Sequence, residues 1–258
     1  MINDNFGDRM KAYEAVTDVR LTGLTPVILR VDGKSFHTLT AKINKPFDGL
    51  FMQVMNHTAL ELCRQIPNCR FGYVQSDEIS LVLLEPSVCS EQWFNGRLQK
   101  MTSIAASIAS TEFRMNLLET LNVTKDNPED WAPYTPLVKN ALFDCRAFNI
   151  PEMDVCNYFI WRQKDCRRNA ILSMAQHHIG KKNVCGIDVS GLTARLHSMG
   201  FSESDIPSLN GRSCIKAKKE LKRTDGSVFT RAKWDIVENV PVFSSNRIFV
   251  EKHLEIKE

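Results

Sequence analysis

Between residues 71 and 84 the chain reads Phe-Gly-Tyr-Val-Gln-Ser-Asp-Glu-Ile-Ser-Leu-Val-Leu-Leu, two strand-like runs with Asp77 and Glu78 wedged between them. Runs this close together pair as an antiparallel hairpin, which puts the acids at its tip. A second acid stands in a similar place. The apolar stretch Thr25-Pro26-Val27-Ile28-Leu29 runs on through Arg30 and Val31 to Asp32 and Gly33, a carboxylate at the end of a buried-type strand. If the two strands neighbour each other in one sheet, Asp32 and Asp77 come within a few ångströms. Two bare carboxylates about 4 Å apart repel by roughly 4 kcal/mol at an effective dielectric near 20. Such a pair shares a proton or holds a cation, and hard oxygen donors with no adjacent His or Cys cluster suit magnesium. Gly33 has no Cβ to keep a ligand away, so its carbonyl is a candidate third donor. Two ions so held clamp the attacking and leaving oxygens of a phosphoryl transfer. Taken singly, Val-Asp-Gly and Ser-Asp-Glu are ordinary turn sequences; the weight lies in having both.

The surrounding pattern gives an α+β chain. An opening helix is expected over 8–20, a strand over 25–31, a helix over 48–65, the hairpin over 71–84, and a long helix over 91–121 whose small residues 105–109 permit close packing. A strand over 141–150 and a helix from Asp154 to about residue 179 follow. This order is close to a split β-α-β arrangement, a compact sheet with helices on one face. Residues 1–186 form the expected catalytic domain and 187–258 an accessory region, with a short helix over 189–199 and a β-hairpin turning at Thr224-Asp225-Gly226-Ser227.

The remaining composition excludes more than it assigns. No apolar run has the length of a membrane span, and residues 1–5 have neither a basic nor an apolar leader region, so a cytoplasmic protein is expected. Eight cysteines without a Cys-x-x-Cys pair fit free thiols and no zinc knuckle. A net charge of +3 does not by itself announce nucleic acid.

The segments FGDRMKAYE (6–14), RVDGKSFHTL (30–39), KPFD (45–48), QSDEISLVL (75–83) and NYFIWRQKDCRRN (157–169) resemble the tRNA-histidine guanylyltransferase superfamily, in order and over roughly residues 6–180. The resemblance implies a polymerase-like palm and 3′-to-5′ nucleotidyl transfer. By it, Asp32 and Asp77 bind two magnesium ions with the Gly33 carbonyl assisting, Glu78 is the adjacent acid of the catalytic motif, and His37, Lys45, Ser76 and Lys100 form the nucleotide site, with Arg30 a further candidate. It further implies ATP, GTP and other nucleoside triphosphates as substrates, tRNA as partner, and a homotetramer. A 5′-monophosphorylated tRNA is adenylylated with ATP; the 3′-hydroxyl of an incoming nucleotide then attacks that end and releases AMP.

One departure matters. Family members that add a guanylate to histidine tRNA carry His-Ile-Asn-Asn-Leu-Tyr-Asn-Thr after an Asp-Cys, whereas here Asp165-Cys166 is followed by residues 167–174, Arg-Arg-Asn-Ala-Ile-Leu-Ser-Met, and only Asn169 stays in place. That favours the guanylyltransferase-like branch, which resembles a template-directed repairer of 5′-truncated tRNA. Arg167, Arg168 and Asn169 are candidate RNA contacts, as are Lys216, Lys218, Lys219 and Lys222 in a basic run that begins at Arg212 and ends at Arg223. A solvated hairpin face is the plain alternative for that run. Arg162 is read either as reaching phosphates or as an i,i+3 pair with Asp165, and Trp93, Trp161 and Trp234 as core. The rival functions are a palm-type nucleotide cyclase, the histidine-specific guanylyltransferase, and a non-catalytic RNA-binding module.

Overall fold

The computed structural model describes residues 6–85, 87, 89–124, 128–222 and 227–254, with the backbone alone at 123, 124, 128 and 219–222. In chain order the elements are α1 (Phe6–Ala15), β1 (Val27–Gly33), α2 (Phe36–Leu39), α3 (Gly49–Gln65), β2 (Cys69–Gln75), β3 (Glu78–Leu83) and α4 (Leu98–Thr124). They continue with α5 (Thr135–Asn140), β4 (Phe143–Asn149), α6 (Glu152–Ile179), α7 (Val189–Ser198), β5 (Arg212–Lys222), β6 (Val228–Val237) and α8 (Ile248–Glu251). The strands form one sheet in the order β4-β1-β3-β2-β5-β6, with every neighbouring pair antiparallel. The first four strands, with α3 and α4 as crossovers, have the split β-α-β order.

Two-sided burial explains why β1 reads as a continuous apolar run. Val27, Leu29 and Val31 point to a core shared with Val54, Met55 and Leu62 of α3 and Phe113 and Leu117 of α4. Ile28 points the other way, to Val155 and Phe159 of α6. Asp48 starts α3: its side chain accepts the Phe51 N–H at 2.8 Å, satisfying one of the helix's unpaired donors. On α4, Ala105 and Ala109 are fully buried, and their small side chains let that helix lie close to its neighbours.

Several expectations are corrected. Helices cover both faces of the sheet, because α6 seals the side that α3 and α4 leave open. The C-terminal hairpin extends the sheet: β5 pairs with β2 at Val74↔Arg212 and Gly72↔Cys214, and Cys214 and Trp234 join the main core. Its turn, residues 223–226, lies outside the described residues. Helix α4 begins at Leu98, because Phe94, Asn95 and Gly96 adopt φ of 51°, 52° and 70° and break the helical path. Trp161 is 52% exposed, lying against the guanidinium of Arg162 at 4.3 Å, whereas Trp234 is core.

Gly33 has a packing reason to be glycine. A Cβ there would lie 2.5 Å from the Phe36 ring. That ring is locked among Phe51, Phe113 and Phe143, with centroids 6.1, 5.4 and 4.9 Å away, and cannot swing aside. Gly33→Ala is therefore expected to destabilise the fold by about 1–3 kcal/mol in chemical denaturation. Unchanged stability would mean that the ring yields freely.

A candidate active site at the strand ends

The hairpin closes at Gln75↔Glu78, leaving a two-residue turn of Ser76 and Asp77. Ser76 takes a φ of 46°, a left-handed conformation that costs a non-glycine residue about 1–2 kcal/mol. The tip is tied to β1 by the Gly33 N–H, which donates to the Asp77 carbonyl at 3.1 Å. Register then does the rest. Asp32 stands opposite Glu78 on one side and Asp144 on the other, a row of three acids across three strands with Asp77 beside it. Burial raises the Asp32 carboxyl above its ordinary range and Asp144 raises it further, against opposing pulls from Arg30, Arg146 and Arg162. Burial also raises Asp77, aided by Asp32 and Glu78 and resisted by hydrogen bonds from Ser76 and the backbone. Both acids sit where negative charge is disfavoured and a cation is welcome.

Glu78 differs from its neighbours. Arg162 grips it with both prongs, Nε to Oε1 at 2.8 Å and Nη2 to Oε2 at 3.0 Å, and the same Nη2 reaches Asp165 at 2.9 Å. Gln75 adds a donor to Oε1 at 3.0 Å. With both oxygens engaged, Glu78 braces the site, and the Arg162 guanidinium is taken up by carboxylates.

Two cavities meet along the acid pair. One, of about 490 Å³, is bordered by Asp32, Gly33, His37, Lys45, Ser76 and Asp77. The other, of about 470 Å³, runs from Asp32 and Asp77 past Glu78 and Arg162 to Asn169 and Arg212. The fold thus gathers six of the expected residues around the first cavity and adds Glu78 and Asn169 around the second. Lys45 is exposed at the cavity rim, and the partial loss of solvent around its ammonium lowers its pKa; Asp48 opposes this and Lys181 adds to it.

Other candidates lie elsewhere. Arg30 borders neither cavity and sits 5.9 Å from the Trp161 ring. Lys100, displaced with the start of α4, lies 5.9 Å from the Phe94 ring and also borders neither. Arg167 pairs with Glu203 at 2.7 Å and Arg168 with Asp165 at 2.8 Å, both along a groove between α6 and α7. Lys216 and Lys218 are exposed on one face of β5, while Lys233, opposite Ala217, belongs to the other, so the basic charge is split between faces. The side chains of Lys219 and Lys222 lie outside the described residues. Sequence reasoning missed Asp48, which besides capping α3 accepts from the Asn44 N–H at 3.1 Å and the Tyr134 hydroxyl at 2.8 Å, fixing the loop that carries Lys45. An Asp directly before Gly49 and a helical apolar period is a legible N-cap signal.

The raised acids make a pH prediction. When a carboxyl's folded pKa exceeds its unfolded one, the folded state holds more protons in the window between them, so stability falls as pH rises through it. In chelator-containing buffer, Asp77→Asn should melt higher than the parent chain at neutral pH, with the gap closing as pH drops below the ordinary aspartate range. A variant no more stable than the parent at neutral pH would contradict the raised carboxyl.

Comparison with known proteins matches this geometry to a family. The family model described as tRNAHis guanylyltransferase matches residues 7–151. Two solved structures of a bacterial tRNA(His) guanylyltransferase-like protein are 30% identical. The one in complex with ATP covers 98% of this chain and 100% of that chain at a TM-score of 0.82, and the one in complex with GTP covers 97% and 99% at 0.74. An uncharacterized protein of Acanthamoeba polyphaga mimivirus is 30% identical over 96% of this chain and 85% of its own length. A probable tRNA(His) guanylyltransferase of Dictyostelium discoideum is 31% identical over 55% of this chain, which spans about half (51%) of that relative. The chain belongs to the tRNAHis guanylyltransferase family of nucleotidyltransferases.

Proposed function

We propose that this chain extends 5′-truncated tRNA in the 3′-to-5′ direction, choosing each nucleotide by Watson–Crick pairing with the opposite strand of the acceptor stem. The observation that carries the reading is the convergence of Asp32, Gly33 and Asp77 with His37, Lys45 and Ser76 on one cavity. Likeness to the ATP-bound and GTP-bound bacterial structures supports nucleoside triphosphates as its occupants.

Magnesium fits the acid pair. Two carboxylates and a backbone carbonyl are hard oxygen donors, and both carboxyls are raised in the metal-free chain. Among the described residues no cluster of three His, Cys, Asp or Glu side chains is placed to hold a metal, so water and substrate phosphate would complete the coordination. When bound, the ions supply charge neutralisation and alignment of the attacking and leaving oxygens. The protein's own part is placement. Lys45 offers point charge to a triphosphate, His37 and Ser76 offer donors on the same wall, and Asp48 fixes the loop that carries Lys45. In the first stage the tRNA 5′-phosphate displaces pyrophosphate from ATP; in the second the 3′-hydroxyl of the next nucleotide displaces AMP. No protein nucleophile is required.

The choice of repair over histidine-specific addition rests on residues 167–174. Ala170, Ile171 and Met174 of that run are buried against Leu192 and Leu196 of α7, so positions that differ from the specialists' motif serve packing. The exposed Phe6 and Tyr13 of α1, a helix that buries none of its residues, suit the homotetramer the family implies.

Truncated tRNAs of several anticodons, each with all four opposing template bases, form the test, scored by kcat/KM for nucleotide addition. The expected result is repair across anticodons with the added base following the template, and loss of addition in Asp32→Ala. Guanylate added whatever base lies opposite, or strong preference for histidine tRNA, favours the guanylyltransferase named for the curated relatives; no addition at all favours a binding module.

A further inference from the structure

Arg212, the first residue of β5, is 3% exposed and yet borders the cavity that runs from Asp32 and Asp77 to α6. Its Nε is buried without a hydrogen-bond partner, and among the described residues no carboxylate lies within salt-bridge distance of it. The groups that act on it are Cys166, Tyr73 and Cys214, with Glu238 the least of them. Burial holds both the Tyr73 hydroxyl and the Cys166 thiol protonated, so neither is a counter-charge at neutral pH. The Tyr73 hydroxyl is in any case spent on the Asn210 carbonyl at 2.9 Å. Arg162, which lines the same cavity, shows what a satisfied buried arginine looks like here, with three bonds to two carboxylates.

A guanidinium does not shed its proton in a protein, so burial without a partner costs stability unless an anion arrives. The cavity of about 470 Å³ has the volume of a small-molecule site. Gln75 borders the same cavity, and its Oε1 is a second unfulfilled group, a buried acceptor without a donor. An occupant that offers an oxyanion together with N–H or O–H donors satisfies both, and a phosphorylated nucleoside does so. We propose that Arg212 is a phosphate-binding residue, its guanidinium receiving a phosphate oxyanion of a nucleotide or of an RNA 5′ end lodged in this cavity, an assignment that rests on the function proposed above. Its place at the head of the basic run is incidental: Lys216 and Lys218 are exposed, whereas Arg212 is turned into the cleft.

A space-filling arginine and a phosphate-binding one respond differently to Arg212→Met. In either case the ligand-free protein should keep or raise its Tm, since an unpaired buried charge is removed. Only the phosphate-binding role predicts a loss of affinity. Calorimetric titrations with α,β-methylene-ATP and magnesium, and with acceptor-stem RNA bearing a 5′-phosphate or a 5′-hydroxyl, read that loss. We expect binding weakened about ten- to a hundredfold for the nucleotide analogue, or for the phosphorylated RNA but not the hydroxyl form, and which probe is affected names the source of the phosphate. Should Met not be accommodated, Arg212→Gln is read by the same rule. Wild-type affinity for all probes in the folded variant overturns the proposal alone. A parent chain that binds neither analogue nor phosphorylated RNA contradicts the proposal and the function it rests on together.

Discussion

The grip of Arg162 on Glu78 is the contact on which the strand-end geometry depends. Antiparallel register forces Asp32 and Glu78 opposite each other, with Asp144 on the far side and Asp77 one residue away. Left alone, neighbouring carboxylates about 4 Å apart would each repel by roughly 4 kcal/mol at an effective dielectric near 20. The guanidinium removes Glu78 from that repulsion with two charge-assisted bonds, and it holds Asp165 with a third. The ion pair links residues far apart in sequence, so it also pins α6 to the sheet end. From there α6 walls the second cavity and buries Val155 and Phe159 against the sheet. Among the described residues, what remains at the strand ends without an ion pair is Asp32 and Asp77, with Asp144 beside Asp32.

How much of this was legible follows from which contacts are local. The hairpin could be read because two apolar runs separated by a two-residue turn have one way to pair, and the turn residue Asp77 follows from that. The end of β1 could be read because a carboxylate closes an otherwise apolar strand. His37, Lys45 and Ser76 came only with the motif resemblance, and the cavity they share is built by the loop that Asp48 fixes. The second face of the sheet was not legible. Helix α6 carries Arg162 and Gln163 at buried positions, so its polar residues interrupt any apolar stripe. Their partners are distant: Gln163 donates to the Asn210 and Pro241 carbonyls at 3.1 and 2.9 Å.

Arg212 and Lys100 show the same limit from opposite sides. Arg212 heads a basic run that looks solvated, and only its pairing with Val74 in the middle of the sheet buries it. Lys100 sits on a helix that the sequence shows plainly, but three successive positive-φ residues shift where that helix starts and what its first turn faces. Residues 167–174 read as an altered recognition element. In space they alternate between solvent and a small core with α7, with Arg167 held by Glu203 and Met174 buried. Within the run Ala170, Ile171 and Met174 pack against α7, whereas Arg168 and Asn169 face solvent.

Everything in the functional reading passes through the capacity of Asp32 and Asp77 to hold a divalent cation together. Titrating Mn2+ into the chain in the presence of α,β-methylene-ATP, and following the EPR signal of the free ion, measures that capacity without turnover. Saturable uptake by the parent chain that is lost in the Asp32→Asn, Asp77→Asn double variant and retained in Lys218→Ala is the predicted result. Equal Mn2+ uptake by the parent chain and the double variant would contradict it.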